Sequence, residues 1–287
     1  MTRINEWWER GAFIDVEGHQ IFTRLEGEGP TLIFLHGFPT SSHDWADVFL
    51  DLARDHRCVT FDYLGYGASD KPVDADYSSM KQTSRVLKIL RHLGVTEGAV
   101  IAHDLGGILL QQLLHRAVEG EAGLAIHRAV FSNSSVFPDL YNPTPMQLAL
   151  VDPEQGRQIA QQINQPMLEA ALTAMFPTHV PAPERIGDLW KAISRNDGQL
   201  LWPDHLVYMR ERAEQGRLLV EAMHSTSSGL SFIYGLSDGI SGAHILARAE
   251  ADLPEAECIG LAGLGHYPQV EAPTDYIRAL RATLGRA

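Results

Sequence analysis

Cysteine is nearly missing from this chain. Two in 287 residues, Cys58 and Cys258, cannot form a disulfide framework, and their spacing does not suit zinc. Each sits in an apolar, strand-like run and reads as a small buried hydrophobe. Long apolar runs are missing as well. None approaches the about 18 residues that would suggest a membrane-crossing helix, and the stretch from Met1 to Trp8 has no apolar signal core. A cytoplasmic protein is expected. Positive charge is scarce: 23 Lys and Arg stand against 36 Asp and Glu, for a net charge of −13. That balance argues against nucleic acid and anionic membranes as partners. Repeats and low-complexity segments are absent.

What is present is an ordinary globular composition, 45% hydrophobic and 21% charged. Trp7 and Trp8 read as anchors for a short amphipathic N-terminal lead-in. A hairpin follows from Gly11 to Glu26. From Thr31 onward, short apolar strands alternate with helical stretches. Thr31–Leu35, Cys58–Asp62, Ala99–Ala102 and Ile126–Phe131 read as strands, and this alternation predicts a parallel sheet with helices on both faces. The pattern breaks between 136 and 225. No strand is legible there, and helical stretches are punctuated by prolines such as Pro145, Pro153, Pro166 and Pro183. The expected organisation is an α/β core over 1–135 and 226–287, with a helical cap over 136–225. Strands at Leu230–Tyr234 and Glu257–Leu261 and a closing helix from Glu271 to Leu284 complete the core.

The stretch Ala102-His103-Asp104-Leu105-Gly106-Gly107 draws the most attention. A strand runs straight into a helix there, and two glycines allow backbones to approach closely. Asp104 at the apex has the setting of a nucleophile elbow, with Asp where G-x-S-x-G has Ser. An ordinary turn whose Asp caps the helix is the competing reading. Asp238 and His266 each follow the C-terminal end of a predicted strand, where open α/β sheets bind ligands. Asp104, Asp238 and His266 thus occur in the chain order nucleophile, acid, histidine.

The chain resembles the α/β-hydrolase fold superfamily. Within it, the chain resembles the aspartate-nucleophile branch of epoxide hydrolases and haloalkane dehalogenases. The resemblance is carried by HGFPTSSHDW from His36, FDYLGYGASDKP from Phe61, AHDLGG from Ala102 and LAGLGHYPQVEAP from Leu261. Through RHLGV from Arg91, ISRNDG from Ile193 and GHYPQVE from Gly265, it is also similar to the mesoderm-specific-transcript-like group.

A carboxylate nucleophile suits attack on saturated carbon, which yields an alkyl ester of the enzyme. His266, oriented by Asp238, would then activate the water that hydrolyses the ester. The Phe38 and Leu105 backbone N–H groups would form the oxyanion hole. The resembled dehalogenases use Trp or Arg after the nucleophile, and often Asn after the oxyanion-loop His-Gly; here Leu105 and Phe38 stand at those positions. Epoxide opening is therefore expected. Tyr141 and Tyr208 are the candidate cap proton donors, with His179 and His205 behind them.

A haloalkane or haloacid dehalogenase using the same covalent chemistry is one alternative. A ligand-binding or signalling protein with little turnover is another. No metal or organic cofactor is implied. The expected partner is a small apolar or moderately polar substrate, and a homo-oligomer is compatible with the sequence. His103, His36, Asp62 and Ser69 read as braces for the loops, and Trp190 and Trp202 as filling of the cap.

Overall fold

A computed structural model describes residues 3–177 and 180–285. Its centre is an eight-stranded sheet: β1 (Ala12–Val16), β2 (His19–Glu26), β3 (Thr31–Leu35), β4 (Arg57–Phe61), β5 (Glu97–His103), β6 (Ala125–Ser132), β7 (Gly229–Gly235) and β8 (Glu257–Leu261). The spatial order is β1-β2-β4-β3-β5-β6-β7-β8. The β1–β2 hairpin closes through Glu17 and Gly18, both at positive φ, a turn whose twist matches the strands. From β4 to β8 every pairing is parallel. Central strands such as β3 are continuously apolar because both of their faces are covered.

Each face has its own core. Helices Ser79–His92, Leu105–Val118 and Tyr208–Ser225 pack on one side around Val100, Ala102 and Phe131. Helices Ala46–Leu52 and Pro273–Leu284, with Trp7 and Trp45, pack on the other around Phe34 and Ile101. Trp7 anchors the N-terminal helix Arg3–Glu9, donating through Nε1 to Ser42 Oγ at 3.1 Å. The expected helix from Glu271 is interrupted. A short turn, Pro268–Glu271, precedes the helix, which starts at Pro273 because the residue before a proline avoids the helical region.

Between β6 and β7 the described residues hold helices and no strand: Pro145–Leu150, Pro153–Ala160, Gln165–Ala174, Pro183–Ser194, Trp202–His205 and Tyr208–Ser225, with 3-10 turns between some of them. Five of these helices have proline in their first turn, where the missing N–H costs nothing. No helix among the described residues is long and apolar enough to cross a membrane.

Candidate active site

The link from β5 to the helix Leu105–Val118 is a single residue, Asp104, at φ 50° and ψ −114°. A non-glycine residue there costs about 1–3 kcal/mol and persists only where its surroundings enforce it. Asp104 N donates to Ser132 O at 3.2 Å, and Gly107 N donates back to Asp104 O at 3.0 Å. A Cβ on Gly37 would lie 2.7 Å from that of Asp104, and one on Gly106 would lie 2.6 Å from Leu35 O. Side chains at either glycine would push the oxyanion loop off the elbow. Asp104 occupies the helix N-cap position, but its side chain makes no capping hydrogen bond. Its Oδ1 instead accepts the Phe38 N–H at 2.8 Å, across to the loop after β3. Leu105 is the first helical residue, so its N–H has no acceptor within the helix.

The turn after β7 carries Asp238 and the loop after β8 carries His266. His266 Nδ1 lies 2.8 Å from Asp238 Oδ2, and its Nε2 lies 3.7 Å from Asp104 Oδ2. Asp238 also accepts from Asn133 Nδ2 at 2.9 Å, Ile240 N at 2.8 Å and Ser241 N at 3.1 Å. Burial alone would raise the Asp238 pKa. The His266 charge and these hydrogen bonds outweigh burial and hold it well below the usual carboxylate range. For His266, burial disfavours the charged ring, but Asp238 and then Asp104 dominate and push it up to about 9.

Sequence reasoning missed Asn133. Its Oδ1 accepts Gly235 N and its Nδ2 holds Asp238, so it locks the end of β6 to the acid turn. The available signal was the polar run Ser132-Asn133-Ser134-Ser135 directly after an apolar strand.

The braces are in place around this centre. His103 Nε2 is 2.8 Å from His266 O and ties the elbow to the histidine loop. His36 stacks on Tyr63 at 4.0 Å and accepts the Tyr63 N–H through Nε2, so its Nδ1 is the donor to Gly37 O. Burial holds His36 neutral, down at about 4. Asp62 accepts from Ser42 N and Ala68 N, and Ser69 Oγ donates to Asp62 O.

A cavity of about 600 Å³ opens above Asp104, His266 and Phe38. Its far wall is apolar and comes from the insertion, through residues such as Leu150, Ile163, Met167, Leu168, Leu172 and Trp202. Trp190 is not in that wall. Tyr141 and Tyr208 do not line the cavity either. Tyr208 sits just behind it, with its ring 6.4 Å from that of Phe38 and its hydroxyl accepting from Gln147 Nε2 at 3.2 Å. The Tyr141 hydroxyl is buried beside the Tyr208 hydroxyl, which is its hydrogen-bond partner. His205 is buried against Tyr66, 4.1 Å between ring centres, and burial depresses its pKa to about 3. His179 lies outside the described residues.

Comparison with known proteins agrees with this architecture. The mouse mesoderm-specific transcript protein is 34% identical over 96% of this chain and 86% of its own length. The cis-3-alkyl-4-alkyloxetan-2-one decarboxylase of Xanthomonas campestris is 28% identical over 90% of this chain and 89% of its own. Among solved structures, the epoxide hydrolase CorEH superposes with a TM-score of 0.77 at 19% identity, covering 96% of this chain and 98% of that one, a likeness of fold. The alpha/beta hydrolase fold family matches residues 30–273, and this chain belongs to it.

Proposed function

We propose that the protein is a hydrolase that opens an epoxide to a diol through an alkyl ester on Asp104. The observation that carries this reading is the division of labour between the two carboxylate oxygens. Oδ1 is held by the Phe38 N–H, while Oδ2 lies 3.7 Å from His266 Nε2 and takes no such donor. In this reading Oδ2 attacks the epoxide carbon, the carbon–oxygen bond of the ring breaks, and Oδ1 becomes the ester carbonyl. Oδ1 already sits on a hydrogen-bond donor where negative charge would develop in the second step. A water activated by His266 then attacks the ester carbonyl carbon, and the departing alkoxide takes the proton that His266 removed. The proton Asp104 loses as it returns to the carboxylate balances the one the ring oxygen takes up.

The charges favour this order. While Asp104 is ionised, two carboxylates keep His266 protonated. Ester formation removes one of those charges, so the His266 pKa falls at the stage where a base is needed.

The apolar wall and the cavity volume suit a substrate with an alkyl tail leading away from Asp104. Halide release has less support, since the Phe38 and Leu105 side chains carry no N–H. A binding-only role leaves the His266–Asp238 pair without a task. A second reading draws on the oxetanone decarboxylase relative and on the absence of both tyrosines from the cavity wall. A strained four-membered lactone offers Oδ2 a saturated ring carbon, and its carboxylate leaves without needing a proton.

The deciding experiment replaces His266 with Gln, adds terminal epoxides, alkyl bromides and β-lactones in turn, and weighs the intact protein. A stoichiometric adduct on the Asp104 peptide with an epoxide, and a diol from the wild type, is expected. Adduct formation with the lactone alone selects the second reading. No adduct with any of the three sinks the covalent mechanism.

A further inference from the structure

Asp44 stands apart from the other buried carboxylates. Asp62 accepts from Ser42 N and Ala68 N, Asp238 is held by His266 and Asn133, and Glu271 accepts the Gly265 N–H. Asp44 lies on the 3-10 turn Ser42–Trp45, just after the oxyanion loop. It is fully buried, yet its Oδ1 makes no hydrogen bond among the described residues. Its Oδ2 accepts the Thr40 hydroxyl. Arg185, on the helix Pro183–Ser194, gives its Nη2 to the carbonyls of His43 and Asp44, at 3.0 and 3.5 Å.

Charges of both signs face this carboxyl. Burial acts on it most strongly and pushes it up to about 7; Arg185 favours its ionised form, while Asp62 and Asp104 oppose it. His266 and Tyr267, on the loop after β8, feel its charge in turn. On its own turn, burial holds His43 neutral. On the next helix, Asp47 pairs with Arg3.

Thr40 has one hydroxyl proton and two acceptors in reach, Asp44 Oδ2 and, at 3.4 Å, Gly37 O. An ionised Asp44 claims that proton. When Asp44 is protonated, its proton sits on Oδ2, because Oδ1 has no partner and a buried O–H left unpaired costs about 1–3 kcal/mol. Thr40 then accepts from Asp44 and turns its own proton to Gly37 O. That carbonyl belongs to the peptide whose N–H is the Phe38 donor to Asp104 Oδ1. A carbonyl that accepts a hydrogen bond polarises its peptide and strengthens the N–H at the other end. The Tyr267 hydroxyl reaches Thr40 as well, and donates to Phe38 O at 3.4 Å.

We infer that Asp44 is a positioning residue for the oxyanion donor, its carboxyl deciding through Thr40 whether the Gly37–Phe38 peptide is braced from behind. This role rests on the Asp104-ester reading above. With Asp44 protonated, Gly37 O accepts from both His36 Nδ1 and Thr40 Oγ1. The Phe38 N–H is then at its strongest as water attacks the ester and charge develops on Asp104 Oδ1. With Asp44 ionised, Thr40 turns away from Gly37 O and a second negative charge opposes the oxyanion. Alkylation of Asp104 puts no new charge on Oδ1, so that step depends less on Asp44.

The test follows formation and decay of the Asp104 ester by rapid quench and intact mass after mixing with 1,2-epoxydodecane, from about pH 6 to about pH 9. Melting temperature controls for folding. In the wild type, ester decay should slow roughly tenfold as pH rises past about 7, a fraction of what losing a whole oxyanion donor costs. Asp44→Asn is neutral at every pH and keeps an N–H for Thr40, so it should hold the faster rate throughout. Thr40→Val should show the slow rate already at about pH 6, with alkylation unchanged. An alkaline fall that persists in Asp44→Asn overturns this role alone. So does ester decay at the wild-type rate in Thr40→Val, or an equal loss in both steps. Failure of the His266→Gln protein to form any adduct overturns the ester reading and this role with it.

Discussion

The loops that carry Asp104, Asp238 and His266 and the insertion that faces them are held in different ways. In the loops, polar groups are fixed by short backbone and side-chain hydrogen bonds. Asp238 alone is bound by His266, Asn133, Ile240 and Ser241. Glycines leave no slack, since side chains at Gly37, Gly106 or Gly107 would collide with neighbouring loops and strands. In the insertion, short helices begin at prolines and bury apolar side chains such as Leu150, Leu168, Leu172 and Leu201. Their polar contacts include exposed pairs such as Arg157–Asp204, which contribute little. Hydrogen-bonded geometry has few acceptable alternatives, whereas apolar packing tolerates volume-conserving exchange. Chemistry is therefore expected to reside in the loops and substrate shape in the insertion.

That contrast is broken most severely at the elbow. Asp104→Ala should reduce turnover by roughly 10³-fold or more, measured as steady-state diol formation. Retained turnover would reduce Asp104 to a structural apex. Asp238→Asn sharpens the same point. It removes the charge that orients and protonates His266, so ester hydrolysis should fall roughly 10²-fold or more while alkylation of Asp104 changes less. Single-turnover mass measurements separate the two steps, and equal loss in both would place Asp238 in the first step as well.

The two regions also differ in how far the sequence exposes them. Strands Thr31–Leu35 and Glu257–Leu261 are legible to the residue because each is an apolar run between turns. The elbow is legible because a strand, a lone Asp and two glycines leave the backbone one course. Asn133 is not legible, because a polar residue after a strand has many ordinary uses and its partners are remote in sequence. The insertion is legible as helical but not as a wall. One helix ends at His205 and Tyr208 opens the next, with its hydroxyl accepting from Gln147. Such a contact depends on how short helices pack, which periodicity does not encode.

A smaller effect should appear in stability against pH, again confined to the loops. His266 is raised from its ordinary 6.5 to about 9, because Asp238 and Asp104 outweigh burial. The folded protein keeps a proton that the unfolded chain loses near 6.5. The stabilising contribution is therefore complete below that pH and drains away as pH rises through about 9. Denaturant titrations of the wild type and His266→Gln should show a stability difference that shrinks across this window. A constant difference would mean that His266 is not held in its charged form by the two carboxylates.

The smallest effect tests the insertion at Thr144, where it is built in the manner of the loops. Thr144 and Gln147 form a reciprocal capping box at the start of the helix Pro145–Leu150, and this box sets the amide that reaches Tyr208. Thr144→Ala removes the cap acceptor, at about 1 kcal/mol, visible as a small drop in melting temperature. The Thr144 N–H to Gln147 bond survives, so Gln147 should keep its orientation. If the insertion supplies shape alone, KM shifts slightly and kcat stays. If kcat falls tenfold with the helix still formed, the Thr144 N–H alone does not hold Gln147, and the hydroxyl of Tyr208 bears on the chemistry. The boundary between chemistry and shape would then run through the insertion, at the tyrosine pair, and not along the cavity wall.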